Sequence, residues 1–298
     1  MSRSPLDVMV SGYASLDRSY RTSRIAGAAQ TGLIAGTADP PLRDGGCGPN
    51  VARGLARLGF RAGLVTWLGD DPEGLAYRDR LLADGVDPLG TDVGSGETPR
   101  SLLLYDPAGE AACYFHPSAA ASQRIGPELA AQVFDAHWLA ISVGPAAVTR
   151  QLLDARGSAG PLAWSVKADA EAFSPVLCAE LVRAELVCLN AAELAFVATQ
   201  LDMDAARGAS ALRERGAGWV AITGGRAGWR IVSDAGEVSG AIEPAEVADP
   251  TGAGDAFFAG LLAARLRDLP PAEAGAYAAG VARQTLLAAA AAAGGREA

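Results

Sequence analysis

The sequence predicts an α/β fold with a mostly parallel central sheet, and two observations support this prediction. Short apolar runs alternate with helical stretches over most of the 298 residues, and such alternation is typical of a parallel sheet covered by helices. Half of the residues are hydrophobic, so one large core can form without disulfides or bound metals. We therefore expect a single domain spanning residues 1–298.

Six apolar runs are predicted to be buried strands: 7–12, 62–69, 137–142, 161–166, 184–190 and 219–225. A hairpin pairs 228–233 with 236–243. The helical patterns cover 49–58, 73–84, 127–135, 146–155, 175–183, 191–199, 204–215, 253–266 and 272–289. Two segments, 13–44 and 97–118, break the alternation. We expect them to form a small β lid over the carboxyl ends of the strands, where open α/β sheets bind their ligands.

Composition excludes several classes of protein. The net charge is −9, from 25 basic and 34 acidic residues, and the scattered basic residues argue against a nucleic-acid partner. No uncharged apolar stretch reaches the ~20 residues of a membrane span, and the start of the chain is unlike a signal peptide. The cysteines lack CxxC spacing, so we expect reduced thiols in a cytoplasmic protein without a membrane partner. These cysteines are Cys47, Cys113, Cys178 and Cys188.

The stretch "DPTGAGDAFFAG" (249–260) places glycines and an aspartate at the start of a predicted helix. Amides in a first helical turn have no intrahelical partner and lie at the positive end of the helix dipole. Those of Gly252, Ala253 and Gly254 could therefore bind a phosphate or a developing phosphoryl charge, and Asp255 could accept a proton from an attacking hydroxyl. Acidic residues also favour first turns for purely structural reasons, so this stretch alone leaves both interpretations open.

The stretch "GGCGPNVARGLARLG" (45–59) has the signals of a helix start. Glycine followed by Pro49 is typical of such a terminus. Asn50 would lie in the first turn, where its amide could hold the hydroxyl groups of a polyol. Ordinary helix capping accounts for this stretch equally well.

Two further stretches end predicted strands. In "LNAAEL", Asn190 and Glu193 share one helix face, and an acid and an amide there suit water-mediated magnesium beside phosphates. In "TGGRAG" (223–228), glycines after a strand could cradle a nucleotide, although a simple turn into the hairpin is the alternative.

Several other active-site signatures are missing from the sequence. There is no GxxxxGK[ST] phosphate loop and no GxGxxG dinucleotide fingerprint. With no GxSxG and only two histidines, a hydrolase triad or a metalloprotease site has no support.

Together the four stretches resemble the ribokinase (PfkB-type) family of sugar and nucleoside kinases. The two glycine-rich stretches match its two signature regions in the correct order, and the other two match its N-xx-E and T-x-G-xx-G patterns. The early run "VSGYASLD" matches a strand that leads to a glycine and then an aspartate, here Asp17. The likeness covers residues 7–285 and implies a three-layer α/β/α sandwich with a small β lid.

The resemblance implies transfer of the ATP γ-phosphoryl group to a substrate hydroxyl, with Mg²⁺ as cofactor. Asp255 would be the base, and the amides of Gly252, Ala253 and Gly254 would stabilise the transferring charge. Substrate hydroxyls would be held by Asp17, Gly45, Gly46 and Asn50. ATP would be bound by Asn190, Thr223, Gly225 and Gly228. Glu193 would bind magnesium through water; some family members also need potassium, for which Asp249 is the candidate.

The acceptor stays open, with a small sugar favoured over a nucleoside. Sugar kinases often carry Asp-x-Asn after the middle strand, where this chain has Lys167 and Asp169. Lys167, or Arg100 at the lid, would suit an acidic sugar or a sugar phosphate. The lid segment "YFHPSAAAS" is similar to that of adenosine-type nucleoside kinases, where Tyr114 or Phe115 could stack on a base.

Two other properties of the protein follow as expectations. A regulator that keeps the fold without catalysis would be expected to lose Asp255 or the glycines before it, and both are present. A homodimer through paired lids is expected, because an isolated two-stranded flap is marginally stable.

Overall fold

The computed structural model describes residues 5–37, 42–87, 90–94, 96–108, 111–120, 123–243, 245 and 251–294. Asp249, the candidate for a monovalent cation, lies outside these residues. None of the helices in the described part of the chain has the length and apolar character that a bilayer crossing needs.

A nine-stranded sheet forms the centre of the molecule. Its strands are β1 (Val8–Ser11), β5 (Ala62–Gly69), β6 (Thr91–Gly94), β9 (Trp138–Ile141), β10 (Leu162–Ser165), β11 (Leu186–Asn190), β12 (Trp219–Thr223), β13 (Trp229–Ser233) and β14 (Gly236–Gly240). Their order in the sheet is β14-β13-β12-β11-β10-β9-β1-β5-β6. Neighbouring strands from β12 to β6 pair in parallel, and β13 and β14 add an antiparallel edge.

Helices cover both faces of this sheet. One face carries α1 (Cys47–Arg57), α2 (Pro72–Ala83), α8 (Ala253–Leu266) and α9 (Pro271–Gly294). The other carries α3 (Pro127–Asp135), α4 (Ala146–Arg156), α5 (Pro175–Ala179), α6 (Ala191–Gln200) and α7 (Gly208–Glu214). The three-layer α/β/α fold predicted from the sequence is confirmed.

Strand β1 shows how the sequence specifies the two layers. Its four residues are all buried, and successive side chains of a strand point to opposite faces. Val8 and Val10 belong to the core beneath α1 and α8, whereas Met9 belongs to the core beneath α3 and α4. A strand buried on both faces is therefore a continuous apolar run, which is why the sequence reveals it.

A second sheet lies in the two segments that interrupt the alternation. Its strands are β2 (Ser15–Thr22), β3 (Ile34–Thr37), β4 (Arg43–Gly45), β7 (Arg100–Tyr105) and β8 (Ala111–His116). They have the order β3-β2-β7-β8, and β4 pairs with β2. Only the β7–β8 hairpin has a strand-like sequence; β2 reads "SLDRSYRT" and buries Ser15, Ser19 and Thr22, so hydropathy does not mark it.

The start of α1 touches the end of β1 without any intervening side chain. A Cβ atom at Gly48 would lie 2.8 Å from the Cα atom of Gly12, and one at Gly12 would lie 2.9 Å from Gly48. This close approach places the first turn of α1 directly at the carboxyl end of the central strand.

Replacing Gly48 with alanine tests this close approach. We expect Gly48→Ala to lower the free energy of unfolding by about 1–3 kcal/mol, because the added methyl overpacks two backbones that cannot separate freely. Gly280→Ala is the matched control, since its Cβ would meet nothing within 4 Å on the exposed face of α9. It should stabilise by up to ~1 kcal/mol. Equal urea midpoints for the two variants would contradict the close approach.

Candidate active site

The amino terminus of α8 has the features of an anion site. Gly252 caps the helix in the left-handed conformation (φ 83°, ψ −4°), which is readily accessible only to glycine. The first backbone bond inside the helix runs from the Ala256 amide to the Gly252 carbonyl at 2.9 Å. The amides of the first helical turn precede this bond, and amides in that position generally lack an intrahelical partner. A Cβ at Gly254 would meet nothing within 4 Å, so there is space beside these amides.

Asp255 lies in the same first turn and is 5% exposed. The Asn50 side-chain amide donates a hydrogen bond of 2.9 Å to its Oδ2 atom. The Cys47 thiol also donates to this carboxylate, and burial together with the Asp255 charge raises the pKa of that thiol well above its usual range. A buried carboxylate with two side-chain donors at a helix amino terminus is well placed to accept a proton from a nearby hydroxyl.

Asn50 and Cys47 reach Asp255 because α1 begins at the same place as α8. Gly46 is the residue that precedes the first turn of α1, and the backbone N–H of Asn50 donates a hydrogen bond to the Gly46 carbonyl at 3.2 Å. Helices α1 and α8 pack against each other. The two glycine-rich stretches are thus brought together, although about 200 residues separate Asn50 from Asp255.

Asp17 brings the second sheet to this site. It lies on β2, opposite Arg43 of β4 and Ser101 of β7, and its Oδ1 accepts a 2.5 Å hydrogen bond from the Ser15 hydroxyl. A Cβ at Gly45 would overlap the Asp17 carboxylate at 1.9 Å, so only glycine leaves room for it. Burial raises the pKa of Asp17, and the neighbouring Asp255 charge adds to the effect.

Asn190 and Glu193 form a capping box at the start of α6. The Glu193 amide donates to Asn190 Oδ1 at 2.9 Å, and the Asn190 amide donates to Glu193 Oε2 at 2.7 Å. This reciprocal pairing satisfies two amides of the first turn. It also fixes the Glu193 carboxylate, which is 7% exposed, at the carboxyl end of β11. The roles of both residues toward ATP and magnesium stay predictions.

Lys167 connects the capping box to the α8 terminus. Its ammonium lies 3.4 Å from Glu193 Oε1 and interacts electrostatically with Cys47 and Asp255. Interaction with Cys47, together with Asp255 and Glu193, raises the pKa of Lys167 against the opposing effect of burial. From the sequence, Lys167 is a candidate for binding an acidic substrate; its bridging position is visible only in the structure.

The residues predicted to bind the nucleotide lie at the ends of two adjacent strands. Asn190 and Thr223 are register partners in β11 and β12, so they are neighbours at the carboxyl edge. A Cβ at Gly225 would meet nothing within 4 Å, whereas one at Gly228 would lie 2.3 Å from the Gly240 carbonyl oxygen. Gly225 therefore has open space beside it, and Gly228 is required for packing against β14.

Two contacts of the second sheet were not predicted from the sequence. The rings of Tyr13 and Phe115 have centroids 4.6 Å apart, and burial raises the pKa of Tyr13 to about 12. The Tyr105 hydroxyl hydrogen-bonds the Thr251 hydroxyl, which immediately precedes the α8 cap. No local pattern could reveal these pairs, because the partners are far apart in the chain.

The fold and the site define a class of protein: a phosphotransferase with an alcohol group as acceptor. The carboxyl edge of a parallel sheet combines a buried acid, the amino terminus of a helix and open space beside Gly254. A comparison with family models agrees, matching residues 6–296 to the pfkB family carbohydrate kinases. The chain belongs to this family.

Known relatives show what the family contains. The chain is 31% identical over 244 residues to a nucleoside kinase of Methanothermobacter thermautotrophicus, covering 80% of this chain and 76% of the relative. It is 30% identical over 235 residues to a fructokinase of Klebsiella pneumoniae, covering 74% and 76%. Arabidopsis thaliana ribokinase, solved with ribose and ATP, superposes with a TM-score of 0.77 at 20% identity, covering 95% and 93%.

The raised pKa of Asp17 gives a testable consequence for stability. Because its folded pKa lies above the unfolded value of 3.8, the folded state holds its proton more tightly, and the ionised carboxylate destabilises the fold at neutral pH. We expect Asp17→Asn to raise the melting temperature at neutral pH, because the amide can still accept from Ser15. The gain should shrink as pH falls through the folded pKa toward 3.8.

Thermal unfolding across this pH range is the measurement, with Asp79→Asn as the control because the Asp79 side chain is 72% exposed. An Asp17→Asn variant that is no more stable than the wild type at neutral pH would refute the prediction. A gain that does not change with pH would refute it as well.

Proposed function

We propose that this protein is an ATP-dependent kinase that phosphorylates a hydroxyl of a small sugar, with Asp255 as the base. One observation supports this assignment most directly: the buried Asp255 carboxylate lies in the first turn of α8, beside amides that precede the first helical hydrogen bond. Proton acceptor and anion site are thus built from four consecutive residues, 252–255.

The proposed step is an in-line transfer. The acceptor oxygen bonds to the γ-phosphorus as the bond from that phosphorus to the β–γ bridging oxygen breaks, and ADP leaves. The acceptor proton moves to Asp255. The amides of Gly252, Ala253 and Gly254 stabilise the charge on the transferring group. Positioning and electrostatics dominate such reactions, and the hydrogen bond from Asn50 holds Asp255 in position.

Asn190, Thr223, Gly225 and Gly228 are proposed to bind ATP along the carboxyl edge of β11 and β12. A bound Mg²⁺ would neutralise phosphate charge. Glu193 could bind this ion through a water molecule. Each of its carboxylate oxygens has one neighbouring donor among the interactions described above, and an oxygen that accepts one hydrogen bond retains another lone pair. Asp249 stays the candidate for potassium.

Asp17, Gly45, Gly46 and Asn50 are proposed to hold the acceptor. Asp17 contributes a carboxylate that can accept from sugar hydroxyls, and Gly45 leaves the space for it. We further propose that the second sheet acts as a lid within a single kinase domain of residues 1–298. The Tyr105–Thr251 hydrogen bond supports this, because it joins the sheet to the loop before α8.

A nucleoside is the second candidate for the acceptor. The Tyr13–Phe115 ring pair supports it. Phe115 is in register with Ser101, and Ser101 with Asp17, so Phe115 lies on the face of the second sheet that carries Asp17 and could face a base. The 31% identical nucleoside kinase points in the same direction. The homodimer and the cytoplasmic location stay predictions; the first is supported by Leu102 and Tyr114, which are register partners and 38% and 60% exposed.

The base assignment is tested by Asp255→Asn. We expect kcat for ADP release, measured with ATP, magnesium and the best acceptor, to fall about 10²- to 10⁴-fold, the usual contribution of a general base. The best acceptor comes from a panel of pentoses, hexoses, sugar acids, sugar phosphates and nucleosides. Asp268→Asn, an exposed change just beyond the other end of α8, is the control and should retain full activity.

Two results would count against the proposed function. Activity that survives in Asp255→Asn would exclude this residue as the base. A wild-type protein that binds ATP and releases no ADP with any acceptor would favour a non-catalytic ligand-binding role.

The acceptor class is tested by Phe115→Ala. If a base stacks on this ring, the KM for a nucleoside should rise about 5- to 150-fold, since one stacked base contributes ~1–3 kcal/mol, and the KM for a sugar should stay within about twofold. Tyr114→Ala is the matched comparison, because neighbouring residues of β8 point to opposite faces. Similar effects of the two variants, or an equal effect on sugars, would argue against stacking at Phe115.

A further inference from the structure

Lys167 is the only lysine in the chain, and it lies among the groups proposed to carry out phosphoryl transfer. It follows β10 by two residues, at the same sheet edge as Asn190. Its ammonium is 3.4 Å from Glu193 Oε1, and its side chain is 35% exposed. A buried carboxylate therefore holds the ammonium, while the side chain as a whole is partly exposed.

The surroundings of this ammonium combine opposite charges. Asp255 and Glu193 attract it. Helices α1, α6 and α8 begin at Cys47, Ala191 and Ala253, and the first turn of each contains a residue that interacts with Lys167. The dipoles of these helix termini favour negative charge. The arrangement is suited to an additional anion.

We propose that Lys167 is a catalytic residue whose ammonium donates hydrogen bonds to the γ-phosphoryl oxygens during transfer, with Glu193 holding it in position. This inference rests on the proposed kinase function. No proton is transferred from Lys167; its N–H groups and its charge stabilise the oxygens of the phosphoryl group while Asp255 takes the acceptor proton. A fixed cation that acts in the transition state raises kcat rather than affinity for the acceptor.

The position of Lys167 favours this role over recognition of an acidic acceptor. Its partners are Glu193, at the predicted phosphate side, and Asp255, at the transferring atom. Asp17, on the acceptor side, has Arg43 and Asp255 as charged neighbours. An acidic acceptor group held near Asp17 would thus meet Arg43 first.

The first test separates kcat from KM. Lys167→Met should lower kcat about 10²- to 10³-fold, the range for removing one donor to a developing anion, and leave the acceptor KM within about threefold. Lys167→Arg keeps the charge in a different shape and should lose less. Arg207→Met, which removes an exposed cation paired with Glu214, is the control and should match the wild type. Melting curves confirm that each variant is folded.

A second test asks whether the ammonium itself acts. In Lys167→Ala, added methylammonium should restore activity at least about tenfold, whereas tetramethylammonium, which has no N–H donor, should restore none. A purely structural role of Lys167 would give no such difference between the two cations.

A third test needs no acceptor. Lys167→Met should weaken binding of the non-hydrolysable analogue AMP-PNP about tenfold and leave ADP binding within about twofold, because only the former carries the γ group. In the wild type, AMP-PNP should also protect Lys167 from an amine-reactive acylating reagent better than ADP does. Mass spectrometry reads this protection without ambiguity, because no other lysine side chain exists.

The outcomes distinguish the two proposals. If the wild type is active and Lys167→Met is equally active, or differs only in the acceptor KM, the role of Lys167 alone is overturned. Equal protection by ADP and AMP-PNP overturns it too. A wild type that binds neither nucleotide overturns the kinase function, and the role of Lys167 with it.

Discussion

The hydrogen bond from the Asn50 side-chain amide to the Asp255 carboxylate is the constraint on which the site depends. A buried carboxylate is costly unless charge or hydrogen bonds compensate it, and here the compensation comes from a different helix. Helices α1 and α8 must therefore begin at the same point on the sheet. The close approach of Gly48 to Gly12 makes this possible, because a larger residue would push the first turn of α1 away from β1.

Electrostatic balance then organises the rest of the site. The Asp255 charge disfavours ionisation of Asp17, while Lys167 attracts both Asp255 and Glu193. We propose separate functions for the two carboxylates. Asp17 lies with the second sheet, where it is proposed to hold the acceptor, and Asp255 lies in the first turn of α8, where the phosphoryl group is proposed to bind.

Much of the fold could be predicted from the sequence because buried parallel strands are continuous apolar runs. Strand β5 and helix α8 have the bounds expected from sequence, 62–69 and 253–266. Strand β6 was missed, and residues 13–44 were predicted only as part of a β lid, without bounds for the individual strands. Their sequences are polar, and their burial comes from partners elsewhere in the chain. The ends of α1 and α9 also differ by a few residues, as helix termini usually do.

The sequence by itself determined the fold class, the family motifs and the positions of the helix amino termini, because periodicity, glycines and capping residues act locally. Only the tertiary structure decided which of these termini meet. Three contacts join distant parts of the chain. They are the Asn50–Asp255 hydrogen bond, the packing of the Asp17 carboxylate against Gly45, which has no Cβ atom, and the ion pair of Lys167 with Glu193. Their energies depend on burial and distance, and these are set only when the sheet and helices pack.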